Sequence, residues 1–497
     1  MSKNKETKGA AVVTEEQQGE TDLLSRILDE GRLARDESQM ARAKDMIAEF
    51  VGQVMAGELT MSKDMEASIN ARIAVIDKLL SAQLNEVMHN EAFQKLEGSW
   101  RGLHHLVHNS ETSTMLKIRV MNTSKKDLLK DLERAPEFDQ SALFKKIYEE
   151  EFGTFGGAPF GALIGDYDFG NHPQDMSLLE KISNVAAAAH APFVSAAAPG
   201  LFGWDNFTDL TEVRDLAKIF DRTEYVKWRS FRESEDSRYV GLTLPHTLMR
   251  LPYGQETTPT ESFNFEEDVD GKDHKKYLWG NAAYSFGTRL TEAFAMYNWC
   301  VAIRGVEGGG LVQGLPSHTF QTDEGEVALK CPTEIAITDR REKEFSDLGF
   351  IPLVHCKNTD YAAFFGAQSA NKAKKYDTDF ANANARLSTQ LQYIFAVSRF
   401  AHYLKAMMRD KIGSFMSRKD CEIFLNRWIN NYVTEDDTAS PTTKAQYPLR
   451  EARIEVAEVP GKPGVYKAVA FLRPHFQLDE LSVSLRLVAE LPPPVNK

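Results

Sequence analysis

Between residues 160 and 197 an apolar run, FGALIGDY, leads into a helix-spaced stripe of Met176, Leu179, Ile182 and Val185. A second apolar run, PFVSAA, follows at 192 to 197. This order of strand, amphipathic helix and strand is a βαβ unit. Two strands joined by a helical crossover lie parallel, and the crossover is right-handed. The reading commits the middle of the chain to an α/β region.

The flanks extend it. LKIRV (116 to 120) reads as a strand, with helices at 124 to 134 and 141 to 152. A helix at 211 to 221 and a strand at 239 to 244 follow. ETTPTESFNFEEDVDGKDHKK (256 to 276) is acidic and rich in turn formers, and reads as an exposed loop. A helix is expected from about 277 to 302 and a strand at FIPLVHC (350 to 356).

Both ends are different. Residues 1 to 20 carry too little apolar surface to offset chain entropy and read as disordered. In TDLLSRILDEGRLA, Leu23, Leu24, Ile27 and Leu28 share one helical face. That helix either packs on its own domain or docks in a partner's groove. Met40, Met46, Ile47, Phe50, Val51 and Val54 continue a helical stripe. Met65, Ile69, Ile73, Ile76, Leu80, Leu84 and Val87 form another, and Phe93, Leu96, Trp100, Leu103 and Leu106 a third. Such stripes need covering, and helices this long are suited to meeting a second chain.

From about 380 the chain is helical again, with Leu387, Leu391, Ile394, Phe395, Val397, Phe400 and Leu404 on a broad apolar face and a second helix at 419 to 432. TEDDTASPTTKAQ interrupts the pattern. Three strands close the chain: ARIEV, VYKAVAF and LSVSLRLVAEL, the first two joined by the turn VPGKPG. In the last, Leu481, Val483, Leu485 and Leu487 point one way, and Ser482, Ser484 and Arg486 the other. Burying each apolar side chain is worth roughly 1.5–3 kcal/mol, gross. The strand pairs with its own sheet or joins a neighbour's; pattern alone favours its own, since consecutive strands usually pair.

The expected fold class is therefore α+β and multidomain. A tail at 1–20 precedes N-terminal helices at 21–60, a central α/β domain at 61–379 and a C-terminal helix-plus-sheet domain at 380–497. A chain of 497 residues is long enough for several cores. Its formal charge of −13 excludes nucleic acid as the main partner, because phosphate binding needs a basic surface. The N-terminus lacks the apolar stretch of a signal peptide, and no run is long enough for insertion in a bilayer. Cys300, Cys331, Cys356 and Cys421 are far apart and form no C-x-x-C pair, so four reduced thiols in a cytoplasmic setting are expected.

Chemistry has few candidates. Asp166 and Asp168 in GDYDFGNHPQD suggest a metal-dependent phosphohydrolase, but Phe169 and Gly170 stand where Thr or Val would follow. An EF-hand reading fails at Gly170, Asn171 and Ser177. A turn after a strand is the better reading, since Asp, Gly and Asn bond nearby backbone. His104 and His108 have the spacing of two zinc ligands, without a third. GVEGGGLVQG (305 to 314) lacks the Lys-Ser or Lys-Thr of a phosphate loop. No catalytic, cofactor or metal residues are assigned.

Six segments carry a resemblance. LEGSWRGLHHLV (96 to 107), FGALIGDYDF (160 to 169), PHTLMRLPYG (245 to 254), LWGNAAY (278 to 284), IRGVEGGGLVQGLPSHTF (303 to 320) and CPTEIAITDRREKEFSDLGFIPLVHCKNTDYAAFFGAQS (331 to 369) occur in family order. The chain resembles the large sheath subunit of type VI secretion systems, the TssC/VipB/EvpB family, from about residue 20 to its end. The resemblance implies a structural protein and no enzyme. It implies pairing with a small sheath subunit (TssB/VipA-type) and stacking with other copies of itself in a helical sheath around an Hcp-type inner tube. Triggering from a baseplate, contraction, and dismantling by a ClpV-type AAA+ unfoldase complete the picture, all on the cytoplasmic side of an envelope-attached machine. It maps unfoldase docking to Leu23, Leu24, Ile27 and Leu28, and small-subunit bundling to the next helices. Leu481, Val483, Leu485 and Leu487 fall on a strand that augments an adjacent protomer's sheet, and the inner-tube contact falls near Lys419, Asp420 and Glu422. It also implies a C-terminal region related to phage tail sheaths.

Overall fold

The structure is a computed structural model that describes residues 65–261, 263–322, 324–414, 416–461 and 465–478, with six further positions between 42 and 52. The helix expected at 21–34 and the terminal strand expected at 481–487 lie outside the described residues. Two compact units divide the chain. One holds the first long helix up to Glu86 together with Tyr253–Asp268; the other holds the remaining described core, Val87–Pro252 and the residues from Val269 onward.

In the first unit the stripe forms the predicted helix, α1 (Met65–Met88), on which Ile69, Ile73, Ile76 and Leu80 are exposed. The acidic segment 253–268 is strapped to this helix. Asn85 bonds both Glu266 C=O (3.3 Å) and Asp268 N–H (3.2 Å). Phe265 and Glu267 are buried, so this part of the expected loop is ordered by its own contacts and is not wholly exposed.

The second unit is built on a six-stranded sheet. Its elements include α2 (Glu91–His108), α3 (Lys125–Arg134), β1 (Leu163–Phe169), α4 (Pro173–Ala189), β2 (Phe193–Ala197), β3 (Val240–Leu244), α5 (Ala283–Tyr297), β4 (Leu311–Val312), β5 (Ile351–His355) and β6 (Ala362–Phe364). The spatial order is β1-β2-β3-β5-β6-β4. The first four strands run parallel, and β6 runs antiparallel to both its neighbours, β5 and β4. The βαβ unit of the sequence is thus present, with α4 as its crossover. Parallel strands are covered on both faces. Phe193, Ala197 and Val354 face a core shared with α3 and α4, whereas Val194, Ile351 and Leu353 face α5 and Leu391.

The β1–β2 ladder breaks between Ile164 and Asp168. Ser195 Oγ donates to the carbonyls of Gly165 (2.8 Å) and Tyr167 (2.6 Å), and Asn281 Nδ2 reaches both at 3.3 Å. Buried carbonyls left by a bulge are satisfied this way without a strand. Against this layer packs α2, through Gly98, Gly102 and Leu106. A Cβ on Gly102 would lie 2.3 Å from the Tyr284 ring, so only glycine permits the approach of α2 to α5.

Several expected elements differ. LKIRV joins no ladder: Ser113 N–H donates to Leu116 C=O (2.9 Å) in a turn, and Arg119 pairs with Glu151. The helix at 211–221 is split into a 3-10 turn, Phe207–Glu212, and the short helix Ala217–Phe220. The second helix expected at 141–152 is α-helical only over Ala142–Phe144 and continues as a π-helix, Lys145–Phe152. α5 starts late because Trp279–Gly280 first pairs with Thr247–Leu248. It ends at Asn298, whose positive φ of 62° turns the chain. The stretch TEDDTASPTTKAQ contains a short helix, Pro441–Gln446, capped by Ser440.

The C-terminal elements are a helix at Asp379–Leu387, α6 (Leu391–Asp410), α7 (Arg418–Ile429), β7 (Leu449–Glu458) and β8 (Tyr466–Pro474). Their own core joins Phe400, Leu425, Ile429, Ile454 and Val456 to Trp299, which stacks on Phe400 at 4.2 Å between ring centroids. All four cysteines are free thiols, of which Cys421 is buried and Cys356 exposed.

Candidate functional site

β7 and β8 form a two-stranded antiparallel sheet in register from Glu451↔Arg473 to Glu458↔Tyr466. One face, with Ile454 and Val456, is core. The other shows Val469 and Phe471, with the Arg453 guanidinium 5.2 Å above the Phe471 ring. Ile454 turns its N–H and C=O away from β8, so its partner Ala470 also turns its backbone outward. By the same alternation Ala468 and Leu472 face the outer edge of β8, where no strand lies among the described residues. A hairpin with an open edge is an acceptor for an extended segment.

The chain that leaves this hairpin is anchored elsewhere. Gln477 N–H donates to the Tyr393 hydroxyl on α6 (3.2 Å), and Gln477 Nε2 donates to Val301 C=O (3.1 Å). Arg304 Nη2 donates to Leu478 C=O (2.6 Å). Sequence pattern offered no sign of these three contacts, because each partner is an ordinary residue of another segment.

Of the residues expected near an inner tube, Lys419 is exposed at the start of α7. Asp420 closes a capping box with Ser417, and Glu422 Oε2 accepts from Val456 N–H at 3.3 Å. The docking residues Leu23, Leu24, Ile27 and Leu28 and the strand residues Leu481, Val483, Leu485 and Leu487 lie outside the described residues.

On α2 the outer face stays uncovered, with Leu96 56% and Trp100 66% exposed. Met115, Val120 and Met121 are exposed as well. Exposed apolar groups at this density mark surfaces that meet another protein.

Asp166 and Asp168 lie inside β1 and not in a turn; the turn comes afterwards, where Asp175 Oδ2 accepts from Gly170 N–H (2.8 Å). Burial and the neighbouring Asp168 raise the Asp166 pKa, against hydrogen bonds from Ser99 and Tyr284. Asp168 Oδ1 is 3.1 Å from His246 Nε2. His246 Nδ1 is 2.7 Å from Glu334 Oε2, and His274 Nε2 is 2.7 Å from Glu334 Oε1. Burial alone would lower the His246 pKa, but the two carboxylates raise it to about 10. Burial would raise Glu334, and the two histidines bring it down to about 2. The Asp168 and Glu334 carboxylates are thus held by histidines. A phosphohydrolase needs a carboxylate presented to a metal ion and a phosphate. Among the described residues no group of three or more His, Cys, Asp or Glu side chains is placed to hold a metal. His104 and His108 stack at 3.7 Å, with His108 Nδ1 on His104 C=O, and the 305–314 loop is a glycine turn with positive φ at Gly305, Gly309 and Gly314. No helix among the described residues is long and apolar enough to cross a membrane.

Comparison with known proteins agrees with a sheath. Residues 70–371 match the VipB family, described as EvpB/VC_A0108, tail sheath N-terminal domain. Residues 380–491 match EvpB/VC_A0108, tail sheath gpW/gp25-like domain. The type VI secretion system sheath protein TssC1 of Pseudomonas aeruginosa PAO1 is 54% identical over 435 residues, 87% of each chain. Two solved structures share a weaker likeness. The anti-feeding prophage baseplate gives a TM-score of 0.34 at 7% identity, covering 63% of this chain and 66% of that one. The contracted helical sheath of the same particle gives 0.30 at 8% identity, covering 62% and 66%. With matched domains along most of its length and 54% identity to a curated relative over 87% of the chain, the chain belongs to the EvpB/VC_A0108 (VipB) tail sheath family.

Proposed function

We propose that the chain is the large structural subunit of a type VI secretion contractile sheath and works by mechanical linkage, without catalysis. It co-assembles with a small sheath subunit and with further copies of itself around an Hcp-type inner tube. Contraction, released at a baseplate, drives that tube outward, and a ClpV-type unfoldase dismantles the spent sheath. The assembly works on the cytoplasmic side of the envelope.

One observation carries the linkage. Gln477 and Leu478, which follow β8, are tied to Tyr393, Val301 and Arg304, and the β8 edge is open among the described residues. A terminal strand that follows these anchors joins a neighbour's hairpin in this reading, whereas pattern alone favours its own sheet. Ladder bonds of about 1 kcal/mol net each, added to buried leucines, make a joint that is strong and still able to rotate. The exposed faces of α1 and α2 are the surfaces offered to the small subunit. The helix at 21–34 is the unfoldase's handle, and Lys419 remains available for a tube contact. Deleting residues 481–497 is the test: purified material and cells are imaged for sheaths. Loss of long sheaths with the subunit still folded is expected, and intact long sheaths would overturn the linkage.

A further inference from the structure

The two edges of the hairpin are not equivalent. Along β7 the outward backbone groups are taken by side chains and by an extended segment. Thr434 N–H donates to Leu449 C=O at 2.9 Å. Asn426 Nδ2 donates to Ile454 C=O at 2.7 Å, and Asn426 Oδ1 accepts from Ile454 N–H at 2.9 Å. Glu422 accepts from Val456 N–H at 3.3 Å. A carboxamide presents an N–H donor beside a C=O acceptor as a peptide group does, and its second N–H is taken here by Glu422 C=O at 2.8 Å. Asn426 therefore stands where the peptide of a third strand would stand.

We propose that Asn426 is an edge guard. It closes the β7 edge of the hairpin, so that an extended strand of a second copy of this chain, residues 481–487, adds only beside β8. This rests on the strand-exchange reading above and adds its direction. An unguarded edge is a template for pairing with any extended chain. With both edges open, two strands would compete for one hairpin and subunits would branch. With one edge closed, each hairpin takes one strand and growth has a single polarity. The occupant fits the open side: its apolar residues alternate, and Ala468 and Ala470 on β8 leave room for leucines beside them. The chain's own copy is led away by the contacts of Gln477 and Leu478.

The test uses the full chain and residue-resolved hydrogen exchange, with and without a synthetic peptide of residues 479–497 in excess. Asn426→Leu keeps bulk at the position and removes both bonds; Asn426→Gln is the conservative control. Asn426→Leu is expected to speed exchange at Ile454 about tenfold, the loss of an ordinary net hydrogen bond, with Phe471 unchanged. Added peptide is expected to slow exchange at Ala468, Ala470 and Leu472 in the wild type, and at Ile454 only in Asn426→Leu. Unaltered Ile454 exchange in Asn426→Leu overturns the guard, as does peptide protection of Ile454 in the wild type. Peptide that protects neither edge overturns strand exchange, while faster Ile454 exchange in the variant still upholds the guard. If Asn426→Leu unfolds, Asn426→Ala provides the same comparison.

Discussion

His246 Nδ1 lies 2.7 Å from Glu334 Oε2, and the same carboxylate holds His274 through its other oxygen. The three side chains, with Asp168 beyond His246, fasten the loop after β3 to the 330s segment and to β1. With His246 raised to about 10 from an ordinary 6.5, its contribution is complete below pH 6.5 and is lost as pH climbs through 10. With Glu334 lowered to about 2 from 4.5, its contribution is complete above pH 4.5 and is lost as pH falls through 2. Denaturant titrations from pH 3 to 10 are therefore expected to show a plateau between roughly 4.5 and 6.5 from this group. His246→Ala is expected to cost about 3 kcal/mol at pH 6, because it leaves a buried carboxylate short of a partner. A variant as stable as the wild type at that pH would show that the pair carries no weight.

Gly102→Ala puts a methyl group into the Tyr284 ring. Overpacking at a tight helix contact costs about 1–3 kcal/mol. The shift in urea midpoint measures it, and Leu96→Ala on the exposed face of the same helix is the comparison for ordinary helical substitution.

Trp100 sits on the uncovered face of α2. Trp100→Glu should change the stability of the isolated chain by no more than about 0.5 kcal/mol, as for surface positions in general. Co-purification with a small sheath subunit should fall sharply. Unchanged co-purification would separate this face from assembly.

Leu24→Asp and Leu28→Asp place charges on the apolar face of the helix that the sequence predicts at 21–34. Binding of the corresponding peptide to the unfoldase should drop at least tenfold, since each burial lost is worth more than 1.4 kcal/mol. Sheath assembly should be unaffected. Equal affinities in a fluorescence titration would remove the docking assignment.

Asp166→Asn removes a buried charge and keeps a group that accepts from Ser99 and Tyr284. Since burial raises this pKa, ionisation at neutral pH costs stability, and the amide should be neutral or stabilising in thermal unfolding. Magnesium-dependent phosphoester turnover by the wild type, lost in this variant, would revive the enzyme reading.

Much of the frame was legible in the residues. The helix-spaced stripe of Met176, Leu179, Ile182 and Val185 between two apolar runs predicts α4 and its two parallel strands, and these are found. The alternation in ARIEV and VYKAVAF predicts the β7–β8 hairpin. LKIRV has equally good strand composition and forms none, because a strand needs a partner and a turn at Ser113 with the Arg119–Glu151 pair holds it instead. The Asp-x-Asp spacing reads as a turn for a similar reason, although both aspartates lie in β1. The partners that hold Asp168 and its neighbours in place are separated by 78, 88 and 60 residues along the chain.

Local periodicity and turn chemistry are properties of a few adjacent residues, so the sequence alone determined elements such as α4 and the β7–β8 hairpin and which of their faces are apolar. Which strand edge is closed and where the chain goes after β8 depend on side chains that meet only when distant segments pack. Asn426 against Ile454 and Tyr393 against Gln477 are such meetings. A hydrogen bond is fixed by position and angle in space, which spacing along the chain does not encode, and so the tertiary structure alone decided them.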